Sequence, residues 1–291
     1  MSALLVEEVG PLALVEDLGR PGRAALGVTT SGAADRRALR LANRLVGNDE
    51  GHPAIEVLLG GLALRAEGPV TVAVTGAPAP LSLNGAPASP GVPLDLRDGE
   101  RLSLGMPPTG LRSYVAVRGG LDVERLFGSA STDPTSGLGP APLTAGTLLP
   151  VGDVPAAAVN GVDVVSTAGP PVADMVLRAI AGPRDDWFTP AAMRALTGSA
   201  WEVTSESDRV GIRLSGPPLE RARDGELPSE GVVRGAIQVP ASGQPLVFFA
   251  DHPTTGGYPV IAVVLDADTD LLAQSRPGDR VRFQMHRTAE W

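Results

Sequence analysis

Val70-Thr71-Val72-Ala73-Val74 places valine at every second position, the period-two pattern of a strand with one face buried. Leu62-Ala63-Leu64-Arg65, Tyr114-Val115-Ala116-Val117-Arg118 and Arg280-Val281-Arg282-Phe283 read the same way, as half-buried antiparallel strands. Between such runs, 36 glycines and 28 prolines punctuate the 291 residues, so elements are short and turns are many. The expected class is mostly β, closed into a barrel or a barrel-like sandwich, because closure removes the exposed sheet edges.

Helices are few and peripheral in this reading. Asp35 caps a helix over 36–46, with Ala38, Leu41, Ala42 and Leu45 as its apolar stripe and Gly47 at its end. Thr189-Pro190 opens a second helix over 191–197, closed by Gly198, and a short third covers 269–274. The run from Pro155 to Pro171 resembles a linker or surface excursion, which divides the chain into domains over 1–172 and 173–291. The halves echo each other faintly. Leu94 to Leu104 parallels Ala273 to Phe283, each an acidic glycine turn leading into a strand, and Ser31 to Arg36 has a looser counterpart in Ser205 to Arg209.

Composition narrows the chemistry. Cysteine is absent, which excludes disulfides and thiolate nucleophiles. All 24 basic residues are arginine, so a Schiff-base lysine, a P-loop lysine and a biotinylated lysine are excluded from this chain. A net charge of −9 argues against nucleic-acid binding. No apolar run reaches a membrane-spanning length, and the N-terminus meets Glu7-Glu8 too early for a signal peptide. The expected location is the cytoplasm.

Four polar clusters combine glycine or proline with functional side chains: 16–22 with 31–35, 207–211, 226–245 and 251–259. Such clusters commonly only make turns. The last two, however, concentrate the donors and acceptors that a small polar substrate needs. Glu226 and Glu230 offer a general base, and Gln238 and Gln244 can recognise an amide or ureido group. Thr254 and Thr255 with Gly256-Gly257 suit an anion, and His252 suits a proton shuttle. The histidines His52, His252 and His286 show no ligand spacing, so no metal site is expected. A Gly-x-Ser-x-Gly elbow is missing as well.

The ordered motifs Val15-Glu16-Asp17-Leu18-Gly19-Arg20-Pro21-Gly22, Ser31-Gly32-Ala33-Ala34-Asp35 and Arg112-Ser113-Tyr114-Val115-Ala116-Val117-Arg118-Gly119-Gly120 resemble a family of 5-oxoprolinase subunits. This family is also called biotin-dependent carboxyltransferase or allophanate hydrolase subunit 2. Ser207-Asp208-Arg209-Val210-Gly211, Glu226 to Gly231, Gly235 to Pro240 and Asp251 to Pro259 extend the resemblance over nearly the whole chain. Three local departures are Ala34, His252 and the stretch 132–140, which lacks the family's usual Gly-Gly-x-x-Gly-Arg.

The resemblance implies two cyclophilin-like β-barrel domains and a sister subunit of related fold. It further implies a third, ATP-linked subunit and a small lactam or amide substrate. The first function it implies is ATP-dependent opening of 5-oxoproline to L-glutamate, as a subunit inactive alone, with ATP and Mg acting at the level of the complex. The second is carboxyl transfer to urea or a related amide from carboxybiotin carried by another protein. A third is non-enzymatic antagonism of a histidine-kinase inhibitor. No cofactor is expected to be covalently bound to this chain. The candidate catalytic residues are Asp208, Arg209 and Glu230. The candidate substrate-binding residues are Gln238, Gln244, Thr254, Thr255, Tyr258, Arg20, Ser31 and Asp35, with Asp17 a weaker candidate.

Overall fold

A computed structural model describes residues 2–153, 174–223, 225 and 227–286. The excursion expected over 155–171, the division at 172–173 and the candidate base Glu226 all lie outside the described residues. The chain divides into two compact units, one built from 1–20 and 31–170, the other from 21–30 and 171–291. Twenty strands and three α-helices account for the regular structure among the described residues, so the protein is mostly β.

The first unit contains β1 (Ala3–Glu8), β2 (Leu12–Glu16), β3 (Ala54–Leu58), β4 (Ala63–Glu67), β5 (Val70–Gly76) and β6 (Leu81–Leu83). It continues with β7 (Ala86–Ala88), β8 (Pro93–Leu96), β9 (Arg101–Leu104), β10 (Arg112–Val117) and β11 (Leu148–Pro150). These strands form a six-stranded sheet, β11-β1-β4-β9-β6-β7, and a five-stranded sheet, β2-β3-β10-β5-β8. Leu4, Val6, Leu64 and Leu102 of the first sheet and Val15, Val57, Val72 and Val115 of the second share one core. Each such side chain contributes roughly 1.5–3 kcal/mol when fully buried.

Strand β10 is buried along its whole length because both of its faces are covered. Val115 and Val117 face the sheet-to-sheet core, while Tyr114 and Ala116 lie under α1 (Arg36–Leu45). Asp35 caps α1 as expected, accepting the Ala38 N–H at 2.8 Å. Leu41 is only partly buried; Leu39 and Asn43 share the covered face with Ala38, Ala42 and Leu45 instead.

The second unit is a closed barrel. Its strands are β12 (Asp174–Ala181), β13 (Trp201–Val203), β14 (Gly211–Ser215), β16 (Ala236–Gln238), β17 (Leu246–Phe248), β19 (Val260–Val264) and β20 (Arg280–Met285), in the order β12-β19-β16-β17-β14-β13-β20. A separate ribbon joins β15 (Glu230–Gly231) to β18 (Thr255–Gly256). One seam departs from the all-antiparallel expectation: β12 pairs in parallel with β20, from Asp174 opposite Arg280 to Ala179 opposite Met285. The first and last strands of the unit thereby close the barrel.

Helix α2 (Pro190–Gly198) carries the expected proline start, with the Thr189 hydroxyl accepting from the Ala192 N–H. Helix α3 (Asp266–Leu272) starts three residues before the expected position. Asp266 and Asp268 occupy its first turn, where the helix dipole favours negative charge. Of the two sequence echoes, the 94–104/273–283 pair holds for the glycine turn and the strand after it, 97–104 against 276–283, but not before it, where 94–96 ends β8 and 273 caps α3. The Ser31 and Ser205 segments are not equivalent: Asp35 starts a helix, whereas Asp208 folds a turn into β14.

Candidate functional site

In the second unit, the turn 207–211 separates two neighbouring charges. The exposed Asp208 turns back on the chain, its Oδ1 accepting the N–H groups of Val210 and Gly211 at 2.8 and 2.9 Å. Arg209 points inward and is 8 % exposed. Its Nε and Nη2 donate to Asp251 Oδ2 and Oδ1 at 2.6 and 3.2 Å, a two-pronged pair beneath the surface. The Asp251 N–H also donates to the Arg209 carbonyl, tying the β17 exit to this turn. His252 follows, buried, with Nδ1 2.7 Å from the Pro253 carbonyl and its ring centroid 6.1 Å from that of Phe248.

The β15–β18 ribbon brings together two of the sequence clusters. Glu230 lies opposite Gly256, and Gly231 opposite Thr255, while the Thr254 carbonyl accepts the Val232 N–H. Arg184 clamps the Glu230 carboxylate with both prongs, Nε to Oε2 at 3.0 Å and Nη2 to Oε1. Hydrogen bonding from Arg184 lowers the Glu230 pKa and, reciprocally, raises that of Arg184. Glu230 is therefore an ionised acceptor at neutral pH.

Beneath the ribbon lies Gln238, whose Nε2 donates to the Tyr258 carbonyl at 2.9 Å. The approach above it is close: a Cβ at Gly256 would lie 2.6 Å from Gln238 Nε2, so the amide would have to shift. The exposed Tyr258 ring has the Arg221 guanidinium 6.0 Å from its centroid. Arg221 in turn donates from Nη2 to the Val239 carbonyl at 2.7 Å. It also lines a cleft of about 620 Å³ with Pro218, Glu220, Arg223, Pro240 and Ser242.

Glu230, Gln238, Thr254, Thr255 and Tyr258 thus share one neighbourhood. Arg184 and Arg221, which sequence reasoning missed, join it. Arg184 has a faint signal in its place between Gly182-Pro183 and Asp186-Trp187; Arg221 sits in an unpatterned charge run. Gln244 is placed elsewhere, its amide paired with the Gly216 backbone through both N–H and C=O at 2.9 and 3.1 Å.

The first-unit candidates stitch their own unit together. The Asp17 carboxylate accepts the Gly19 N–H, the hydroxyls of Ser129 and Ser131, and the Ala130 N–H, all within 2.6–2.7 Å. Asp35 caps α1, and its N–H donates to the Tyr114 hydroxyl, which donates to Glu56 at 2.7 Å. Burial foremost, then the charges of Glu56 and Asp35, push the Tyr114 pKa well above the ordinary phenol value. Arg112 lies 3.4 Å from the other Glu56 oxygen. Ser31 is buried with φ 51°, its hydroxyl 3.4 Å from the Thr132 carbonyl. Arg20 is 1 % exposed and donates from Nη2 to the Ser131 carbonyl.

The family model for the carboxyltransferase domain, subdomain A and B, matches residues 26–285. The chain is 39% identical to a 5-oxoprolinase subunit from Escherichia coli (strain K12) over 284 residues, covering 96% of this chain and 90% of that one. Among solved structures, it superposes on TTHA0988 with a TM-score of 0.87 at 37% identity, covering 98% of this chain and 56% of that one. On the K. lactis urea amidolyase the TM-score is 0.90 at 30% identity, and the match covers 97% of this chain but 18% of that protein.

Proposed function

The chain belongs to the carboxyltransferase-domain family, subdomains A and B, and we propose that it is a subunit of an ATP-dependent 5-oxoprolinase opening 5-oxoproline to L-glutamate. The observation that carries this reading is the match to the Escherichia coli protein along nearly the full length of both chains. The reading includes a sister subunit of related fold and a third, ATP-linked subunit, with this chain inactive alone in the cytoplasm. Among the described residues, no helix is long and apolar enough to cross a membrane.

Opening the lactam adds water across the C–N bond. Oxygen bonds to the carbonyl carbon, the bond to nitrogen breaks, and the released nitrogen takes a proton. In this chain the second-unit neighbourhood does the binding. The Arg184 clamp keeps the Glu230 carboxylate ionised, so it acts as a fixed acceptor for an amide N–H or for water. Thr255 and Tyr258 offer hydroxyls from the exposed edge of the ribbon, and Gln238 holds the Tyr258 backbone in place. Arg209 and Asp251 position the loop that carries Thr254 and Thr255.

Among the described residues, no three acidic or imidazole side chains converge on a point, and no lysine exists to serve a phosphate loop. We therefore assign ATP and magnesium to the complex and no step of the reaction to a nucleotide held here.

The test is glutamate formation from 5-oxoproline, ATP and magnesium by the assembled complex, with a control that omits this chain. Glutamate that requires this chain supports the reading; a folded, complete complex that makes none refutes it. The K. lactis urea amidolyase similarity favours one second reading, carboxyl transfer to urea or a related amide from carboxybiotin on another protein. Biotin-dependent carboxylation of urea by the same complex would support that reading instead.

A further inference from the structure

Arg20 is a buried cation without a counter-ion among the described residues. Among the described residues no carboxylate pairs with it, and its Nε and Nη1 have no hydrogen-bond partner. The nearby Asp17 is saturated by four donors from residues 19 and 129–131. Thr132, next to the carbonyl that Arg20 does bind, also has a buried hydroxyl without a partner. Buried charges are normally paired, so a buried guanidinium with idle donors marks a place where an anion belongs.

The shape of the guanidinium says which anion. Nη2 carries two hydrogens, one facing the Nε side and one facing the Nη1 side. Whichever of them goes to the Ser131 carbonyl, one complete two-donor edge stays open, either Nε with Nη2 or Nη1 with Nη2. Two parallel N–H groups match the two oxygens of a carboxylate. Against this guanidinium packs the loop 134–140, whose residues 134–137 are exposed and whose base is closed by the Asp133 N–H to Leu138 carbonyl bond at 2.8 Å. Gly139 presses directly on the site: a Cβ there would lie 2.0 Å from the Ser131 oxygen and 3.3 Å from Arg20 Nη2.

We propose that Arg20 and Thr132 form a carboxylate-binding subsite beneath the 134–140 loop, which lifts to admit a small carboxylate and closes over it. That the natural ligand is the carboxylate of 5-oxoproline rests on the function proposed above; the subsite itself does not.

The experiment follows the Arg20 side-chain Nε–H signal of the full-length protein by nitrogen-15 NMR, assigned by its disappearance in Arg20→Lys. Sodium acetate, 5-oxoproline, inorganic phosphate and chloride are titrated at matched ionic strength. Saturable shifts with acetate and 5-oxoproline, and affinity about tenfold weaker in calorimetry of Arg20→Gln, support the subsite. Shifts with acetate alone keep the subsite and remove 5-oxoproline as its ligand. Equal response to chloride, a response to phosphate only, or none in the wild type overturns it. Because the decisive titration uses the wild type, an Arg20→Gln protein that fails to fold leaves the test intact.

Discussion

Replacing Arg209 with methionine should destabilise the second unit by about 3–5 kcal/mol, the usual consequence of leaving one member of a buried ion pair alone. The structure sets the size of the effect. Asp251 is 2 % exposed, and its two oxygens receive Arg209 Nε and Nη2 at 2.6 and 3.2 Å, so removing the guanidinium leaves a buried carboxylate with its main charge partner gone. Tryptophan fluorescence isolates the response, because Trp187 and Trp201 belong to the second unit and the first unit, 1–20 and 31–170, contains no tryptophan. With a urea slope of about 2 kcal/mol/M, the midpoint should fall by roughly 2 M. The double variant Arg209→Met/Asp251→Leu removes both charges and should recover at least about 2 kcal/mol over the sum of the single losses. A single-variant shift under about 0.5 M, or a double variant that loses the full sum, would refute the claim that this pair is held together as a unit.

Tyr114→Phe should cost about 1–3 kcal/mol, because it strips a partner from the Asp35 N–H and from Glu56, and denaturant unfolding followed by circular dichroism checks this. Tyr114 is neutral below its raised pKa, so its contribution is intact below the ordinary phenol value and is lost as pH rises above it; absorbance at 295 nm should show one of the two tyrosines ionising only with unfolding. The lowered pKa of Glu230 has the opposite sign: its stabilisation is present above the ordinary glutamate value and lost as pH falls toward the lowered one. Unfolding midpoints measured against pH should therefore show an acid limb in the wild type that shrinks in Glu230→Gln. Gly256→Ala forces Gln238 Nε2 away from the Tyr258 carbonyl, so complex activity should fall by about tenfold or more while stability changes by under about 1.5 kcal/mol. Gly99→Ala and Gly278→Ala should each cost about 1–2 kcal/mol, since both residues have φ near +80° or +90° and open space around a new Cβ; unfolding curves for the two should agree closely.

What could be read from the sequence was local. Alternation at 70–74 or 280–283 is a property of a few neighbouring residues, and so are the caps at Asp35 and Thr189-Pro190; each stands where the pattern put it. Helix α3 begins earlier than its pattern suggests because Asp266-Ala267-Asp268 looks like a turn until the helix dipole is counted. The candidate neighbourhood was half legible. Clustered Glu230, Gln238 and Thr255 pointed to it, but their partners are distant: Arg184 lies 46 residues from Glu230, and Arg209 lies 42 from Asp251. No periodicity links an ion pair across such a gap. The partner of Gln244 was hidden for the same reason, since Gly216, 28 residues away, holds its amide. The parallel β12–β20 seam likewise joins opposite ends of its unit and leaves no local trace.

The faint echo between 94–104 and 273–283 carries more weight than its sequence suggests. In Arg97-Asp98-Gly99-Glu100 and in Arg276-Pro277-Gly278-Asp279, the fourth residue's carboxylate accepts the first residue's N–H at 2.7 Å. The glycine N–H donates to Ala66 in one unit and Val203 in the other, and those two residues donate back to the carbonyls of Glu100 and Asp279. The strand register agrees as well. Arg65 pairs with Arg101 just before Ala66, as Glu202 pairs with Arg280 just before Val203. Hydrogen bonds and a register in common are difficult to attribute to chance, and they argue that the two units are copies of one strand–turn framework. Apart from that framework, a buried arginine in each unit has a separate fate. Arg209 has Asp251 as an internal counter-ion, whereas Arg20 has none among the described residues. A duplicated scaffold that neutralises one buried arginine from within and leaves another open can hold one loop rigidly while keeping a second available to an anion.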